Sequence, residues 1–300
     1  MVLFCRGLAL AQELRATVVE PAPMQPLANP LVPAADDLSV IERELCFVPT
    51  ANPSPKVLTT HEIDRYNRDG HLGPFRILSD SEATALRTFF DGILAEALAR
   101  GESSYSIASA HRRFAPVWDL LHHPAIVDRV ADLLGDDIVA WGSHFFCKLP
   151  GDGKIVDWHQ DAVYWPMTPS KTVTVWLAVD DTDTENACMR FIPRSHRHGP
   201  LTHLPSSAAD DNVLNLKVTN PLSFGKAPFD DVLRAGEASF HSDLLLHGSD
   251  ANQSDRRRCG ITLRYCAASV RAYLGWNEKG MVVRGSDPEG HWANPKRPAD

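Results

Sequence analysis

Residues 157–161 read Asp157-Trp158-His159-Gln160-Asp161. In an extended strand, residues i and i+2 point to the same face. His159 and Asp161 are therefore expected to turn one imidazole nitrogen and one carboxylate oxygen toward a common ion. A third ligand would complete the two-His, one-carboxylate set that holds non-haem Fe(II) and leaves coordination positions open. Taken alone the pair says little. With 13 His and 26 Asp among 300 residues, chance supplies about one His-x-Asp. A second one, His241-Ser242-Asp243, is indeed present.

The downstream text separates the two. After His159, at the distance of a return crossing, comes His247-Gly248-Ser249-Asp250-Ala251-Asn252-Gln253-Ser254-Asp255-Arg256-Arg257-Arg258. It supplies a distal His, a tight turn, and cations leading into an apolar segment. A buried dicarboxylate needs such an Arg, whose planar fork pairs with a carboxylate through two hydrogen bonds. The His241 pair has only His291 far downstream, too near the chain end for an equivalent strand and Arg.

The chain changes texture at about Ile138. Before it, Thr59/Glu62 and Ser79/Glu82 carry capping-box spacing. Leu86, Phe89, Phe90, Ile93, Leu94, Ala97 and Leu98 recur at helical period, and Pro124–Gly135 repeats the pattern. After it, Ile138–Leu149, Thr172–Asp180, Met189–Ile192, Ala238–Leu246 and Gly260–Val270 are short, β-branched and aromatic, with turn signals between them. Helices first and strands after, without βαβ alternation, predict an α+β, mainly β domain. Residues 1–55, with Pro- and Ala-rich text from Glu20 to Ala35, are expected to form an extended arm, and 56–300 the compact domain. The weakly patterned stretch Pro205–Pro228 reads as a long loop. With Trp165 and the His111-Arg112 segment it is expected to form a mobile substrate entrance.

The ordered motifs resemble the phytanoyl-CoA dioxygenase family of Fe(II)/2-oxoglutarate-dependent oxygenases, with ectoine-hydroxylase-like text. The matching residues are Trp158-His159-Gln160-Asp161, Thr172–Ala178, Glu185–Met189, Ile192–His196, His247-Gly248-Ser249, Asn252, Ser254, Arg258 and Arg264-Tyr265. The resemblance implies a double-stranded β-helix, the jelly-roll or cupin-like barrel, with flanking N-terminal helices. It implies His159, Asp161 and His247 as catalytic iron ligands. Arg258 would hold the far carboxylate of 2-oxoglutarate, with Ser249, Thr174 and His144 as further contacts to it. Trp165, with Tyr164 beside it, is expected to wall the substrate pocket. Two departures stand out: Arg194 and Ala187 occupy places where Gly is usual, which puts the local backbone shape of those turns in question.

The implied reaction is hydroxylation of a small-molecule metabolite using O2, with 2-oxoglutarate converted to succinate and CO2. Asp161 argues against halogenation, which needs a small residue there, and Arg258 has no place in a zinc hydrolase. A non-catalytic jelly-roll binding protein is the alternative, but it would be expected to lack one of the three ligands. The formal charge of −8 disfavours nucleic acid as a partner. No apolar run approaches the roughly 18 residues of a membrane span. Six Cys without a CxxC pair, and Arg6 and Glu13 breaking the N-terminal apolar run, are read as a cytoplasmic protein with reduced thiols.

Overall fold

The computed structural model describes residues 38–207 and 210–300. The N-terminal apolar run and the Pro/Ala-rich text through residue 37 lie outside them. Residues 42–52 form no helix or strand and are tied to the body by hydrogen bonds. Arg43 Nη1 donates to the carbonyls of Ala162 (3.0 Å) and Trp165 (2.8 Å), and Thr50 Oγ1 donates to Leu133 O (2.8 Å). The buried Asp132 carboxylate then accepts three successive backbone amides, from Lys56, Val57 and Leu58, at 2.8, 2.7 and 2.8 Å.

Four helices follow: α1 (Thr60–Asp69), α2 (Asp80–Ala99), α3 (Ala115–Leu121) and α4 (Pro124–Leu134). α1 and α2 both start on complete capping boxes, Thr59 with Glu62 and Ser79 with Glu82. Each box satisfies otherwise unpaired amides at the helix start. α3 was not expected from the sequence. Its seven residues are too few for a helical period to stand out.

The strands are β1 (His71–Arg76), β2 (Ile138–Lys148), β3 (Val156–His159), β4 (Met167–Thr168), β5 (Thr172–Ala178), β6 (Met189–Phe191), β7 (His203–Pro205), β8 (Leu216–Val218), β9 (Phe229–Asp231), β10 (Glu237–Ser242), β11 (His247–Ser249), β12 (Arg258–Ala267), β13 (Arg271–Ala272) and β14 (Met281–Arg284). They pair antiparallel as a six-stranded sheet, β1-β10-β5-β12-β2-β14, a four-stranded sheet, β3-β11-β6-β9, and two two-stranded ribbons, β13-β4 and β7-β8. Neighbours in both sheets come from distant parts of the chain.

Strand alternation divides the side chains between two layers. Val173, Val175 and Leu177 of β5, Ile261, Leu263 and Tyr265 of β12, and Phe240 of β10 share one core with Phe90, Leu94, Leu121 and Ile126 of the helices. Phe90 stacks on Phe145 of β2 with centroids 4.7 Å apart; truncating such a buried ring costs on the order of 3–5 kcal/mol. The intervening residues Trp176 and Ala178 of β5 pack on Met189 and Phe191 of β6. One face of the large sheet therefore meets helices and the other meets the small sheet.

The weakly patterned stretch read as a long loop carries strand structure. β7 and β8 form a hairpin, and Asn212 Oδ1 accepts the Asp157 amide at 3.0 Å, beside β3. His111 is wholly buried, with Nδ1 2.8 Å from Ser143 Oγ, so it packs in the interior and forms no part of a surface entrance. The five described Cys are free, four of them buried. Among the described residues no helix is long and apolar enough to cross a membrane.

The two turns with unusual residues keep a left-handed backbone. Ala187 has φ 64° and Arg194 φ 77°, a region in which a Cβ crowds the following carbonyl. Ala187→Gly should relieve that crowding at the cost of a more flexible unfolded chain, for a net gain of about 0.5–1 kcal/mol. Urea unfolding checks this. A less stable variant would mean that the buried Ala187 methyl contributes more by packing than its backbone loses.

Candidate metal centre

β3 ends at His159, and Asp161 opens a 3₁₀ turn, Asp161–Tyr164. Gln160 between them is still extended (φ −114°, ψ 131°), so the alternation survives one residue past the strand. The fully buried Gln160 side chain points away from the ligand face. Its Nε2 donates to Gly199 O (2.9 Å) and Leu244 O (2.7 Å), and its Oε1 accepts the Leu201 amide (2.7 Å).

His247 lies directly opposite His159 in the β3–β11 ladder, with ring centroids 4.1 Å apart. The approach is close because residue 248 is Gly: a Cβ there would stand 2.7 Å from Val156 O. Asp161 Oδ1 is 3.7 Å from His159 Nε2 and 3.8 Å from His247 Nε2. The donor atoms of these three residues all lie within 4.8 Å of one another, and no other such group of His, Cys, Asp or Glu occurs among the described residues.

The remaining polar atoms of the trio are fixed. His159 Nδ1 meets Asp157 O at 2.8 Å and His247 Nδ1 meets Leu245 O at 2.9 Å. A carbonyl only accepts, so each Nδ1 carries the proton and each Nε2 presents its lone pair. Thr174 Oγ1 donates to Asp161 Oδ2 at 3.3 Å, which leaves Oδ1 facing the imidazoles. Burial alone would raise the Asp161 pKa. The charge of Arg264, with any proton on His159 or His247, outweighs it and holds the carboxyl well below its usual range. Burial pushes His247 down to about 4.

Of the three consecutive arginines only Arg258 turns inward. Arg256 pairs with Asp183 and Glu185, and Arg257 with Asp180 and Asp91. Arg258 is 2% exposed. Its Nε donates to Ala187 O and its Nη2 to Ser249 Oγ, both at 2.9 Å, and its guanidinium lies 5.4 Å over the Trp176 ring. Trp176 reaches that place because residue 260 is Gly; a Cβ there would stand 2.3 Å from the indole. No carboxylate pairs with Arg258 among the described residues. A buried cation without an anion is costly, which marks this end of the cavity as a seat for one.

One cavity joins these groups. It is lined by His159, Asp161, His247, Ser249 and Arg258, together with Trp176, Met189, Thr262, His241 and Arg264. His144, Tyr164 and Trp165 do not line it. His144 Nε2 meets Tyr105 O at 2.6 Å. Trp165 packs edge-on against Trp141, with centroids 4.6 Å apart, and the Tyr164 ring lies edge-on to His159 at 6.1 Å. Sequence reasoning missed Trp176, Met189, Thr262 and His241. The first and third follow from continuing the alternation of Thr174 along β5 and of Arg258 along β12. His241, from the rejected His-x-Asp pair, lies 4.7 Å from the His247 ring, with neither nitrogen hydrogen-bonded.

Comparison with known proteins agrees with this geometry. The family model of phytanoyl-CoA dioxygenase (PhyH) matches residues 66–260. A probable alpha-ketoglutarate-dependent hypophosphite dioxygenase of Stutzerimonas stutzeri is 28% identical over 58% of this chain, which spans about three fifths (61%) of that relative's length. A methylphosphonate hydroxylase of Gimesia maris is 26% identical, with 70% and 81% of the two chains covered. Among solved structures, the non-heme monooxygenase ThoJ superposes with a TM-score of 0.65 at 29% identity, covering 78% of this chain and 87% of that one. The model's match from Tyr66 to Gly260 takes in well over half of the sequence, and the chain belongs to the phytanoyl-CoA dioxygenase family.

Proposed function

We propose that the protein is an Fe(II)- and 2-oxoglutarate-dependent dioxygenase that hydroxylates a small molecule. The observation that carries this reading is the convergence of His159, Asp161 and His247 donor atoms within 4.8 Å, at one end of a cavity whose other end holds the buried Arg258, which pairs with no carboxylate among the described residues. The two facing sheets with helices outside are read as the double-stranded β-helix of such enzymes. The relatives named above as alpha-ketoglutarate-dependent dioxygenase and hydroxylase support the class.

The donor set fits the metal. Two neutral imidazoles and one carboxylate, each with its second polar atom already hydrogen-bonded, suit Fe(II) and leave positions for a cosubstrate and O2. Iron bound there with 2-oxoglutarate and O2 supplies the oxidising power to hydroxylate an unactivated C–H bond, releasing succinate and CO2. The chain does the rest. Arg258, oriented by Ala187 O and Ser249 Oγ, would pair with the far carboxylate of 2-oxoglutarate. Thr174 keeps Asp161 turned toward the imidazoles. Trp176, Met189 and Phe146 line the cavity between and exclude water, which strengthens each electrostatic contact inside.

Two measurements test the assignment beyond succinate release from a substrate panel. The purified protein should retain one equivalent of Fe(II) or Co(II) after dialysis, and His247→Ala should retain at least about tenfold less. His241→Ala should hold the metal as the unmodified chain does, and the reverse pattern would transfer the site to the other His. Arg258→Lys exchanges a two-pronged fork for a point charge. It should raise the apparent KM for 2-oxoglutarate by about tenfold, or about 1.4 kcal/mol. An unchanged KM would remove Arg258 from this role.

A further inference from the structure

The cavity holds a second arginine besides the one assigned to the far carboxylate of the cosubstrate. Arg264 stands on the same inner face of β12 as Arg258, six residues on, or about 20 Å along the strand. In the large sheet it sits level with Thr174, whose other neighbour at that level is His241. Thr174 bonds Asp161, so Arg264 and His241 flank the metal ligands, while Arg258 lies far along the strand beside Ser249.

The Arg264 side chain is built into place. Its stem crosses Gly142 on β2, where a Cβ would be in ordinary van der Waals contact with its Cδ at 3.4 Å. Its guanidinium lies 5.8 Å over the Trp141 ring and 5.3 Å over the Trp165 ring. Trp165 is in turn fixed by its carbonyl's bond from Arg43. Against this precise seating, Arg264 makes no ion pair among the described residues, and its buried Nε has no hydrogen-bond partner. Asp161 is the acidic group that feels its charge, and that carboxylate already faces the imidazoles and Thr174. Aromatic faces orient a guanidinium but leave its in-plane donors unused. An immobilised, part-buried fork with free donors beside a reaction centre is what recognition of an oxyanion requires.

We propose that Arg264 binds an oxyanionic group of the substrate, so that the molecule hydroxylated is a small acid. This rests on the dioxygenase reading and adds its substrate class. A 2-oxoglutarate with its far carboxylate on Arg258 would turn its other carboxylate toward the metal, so its affinity in the Arg264 variants separates the cosubstrate from a second acidic guest. His241, whose two nitrogens have no hydrogen-bond partner among the described residues, offers a donor or acceptor to the same guest.

The test uses the full chain loaded with Zn(II), which is redox-inert, and 2-oxoglutarate, so that the Arg258 seat is filled. Retention of both by the unmodified protein, read first, reports on the dioxygenase reading separately. Propionate and its neutral counterpart propionamide are then titrated by calorimetry. Propionate is expected to bind and propionamide to bind at least about tenfold more weakly; Arg264→Gln should lower propionate affinity about tenfold while 2-oxoglutarate affinity stays within about twofold. Arg264→Lys, which keeps the charge but loses the fork, should fall between, and it serves in place of the Gln variant if that fails to fold. Equal binding of acid and amide, no binding of propionate, or loss of 2-oxoglutarate in place of propionate in the variants would each overturn the proposal.

Discussion

The geometry of the site hangs on the three hydrogen bonds of the Gln160 amide. A strand end is a poor place for two convergent side chains, because once the ladder stops nothing holds the backbone extended. β3 stops at His159. Gln160 Nε2 bonds to Gly199 O and Leu244 O, and Oε1 to the Leu201 amide. These reach the segments before β7 and before β11, so one buried side chain fixes three chain segments about the site. With every polar atom of the amide engaged, the burial costs little. His159 and Asp161, on either side of it, are left facing the same way.

The same economy appears along β12. Its outward residues Ile261, Leu263 and Tyr265 belong to the core under the helices, and its inward residues Arg258, Thr262 and Arg264 line the cavity. A single-residue slip would put two guanidinium groups into the helix core and three apolar side chains into the site. Register here is therefore enforced by a large energy difference, with ten paired positions against β2 and seven against β5. Gly260 breaks the alternation of side chains at the one point where the Trp176 indole fills the space.

Legibility in the sequence followed the strength of the local rule. α1, α2 and α4 were readable because capping boxes and an amphipathic period are short-range signals. β2, β5, β10 and β12 were readable from β-branched runs between turns. β1 was not: Gly73-Pro74 within His71–Arg76 denies it a continuous run, and Pro is tolerated there only because β1 is an edge strand. β7 and β8, three residues each, lie below what periodicity can resolve. The trio His159, Asp161 and His247 was singled out by spacing and by the Arg that follows, although the strand assumed for Asp161 ends two residues early. The pocket walls were less legible. Trp165 and Tyr164 were chosen for nearness in sequence, but the turn after Asp161 carries both away from the cavity. Trp176 enters from another strand, which spacing from His159 cannot reveal.

The turns at Ala187 and Arg194 connect backbone strain to the site. A left-handed residue with a side chain is tolerated only when its surroundings fix it. At Ala187 the reason is visible, since that conformation aims its carbonyl at Arg258 Nε. The carbonyl and Ser249 hold the guanidinium without neutralising it, because both are uncharged. Its charge stays available, as does that of Arg264 at the opposite end. Lys148, across from Arg258 in the ladder, is different: two carbonyls bind its Nζ, and burial with the Arg258 charge pushes its pKa down to about 7. A divalent ion on Asp161, with doubly charged 2-oxoglutarate on Arg258, makes a neutral set. Arg264 is then the one full charge left over in a poorly screened cavity, where an unbalanced cation is strongly disfavoured. A guest bearing one negative charge restores the balance, and a neutral guest does not.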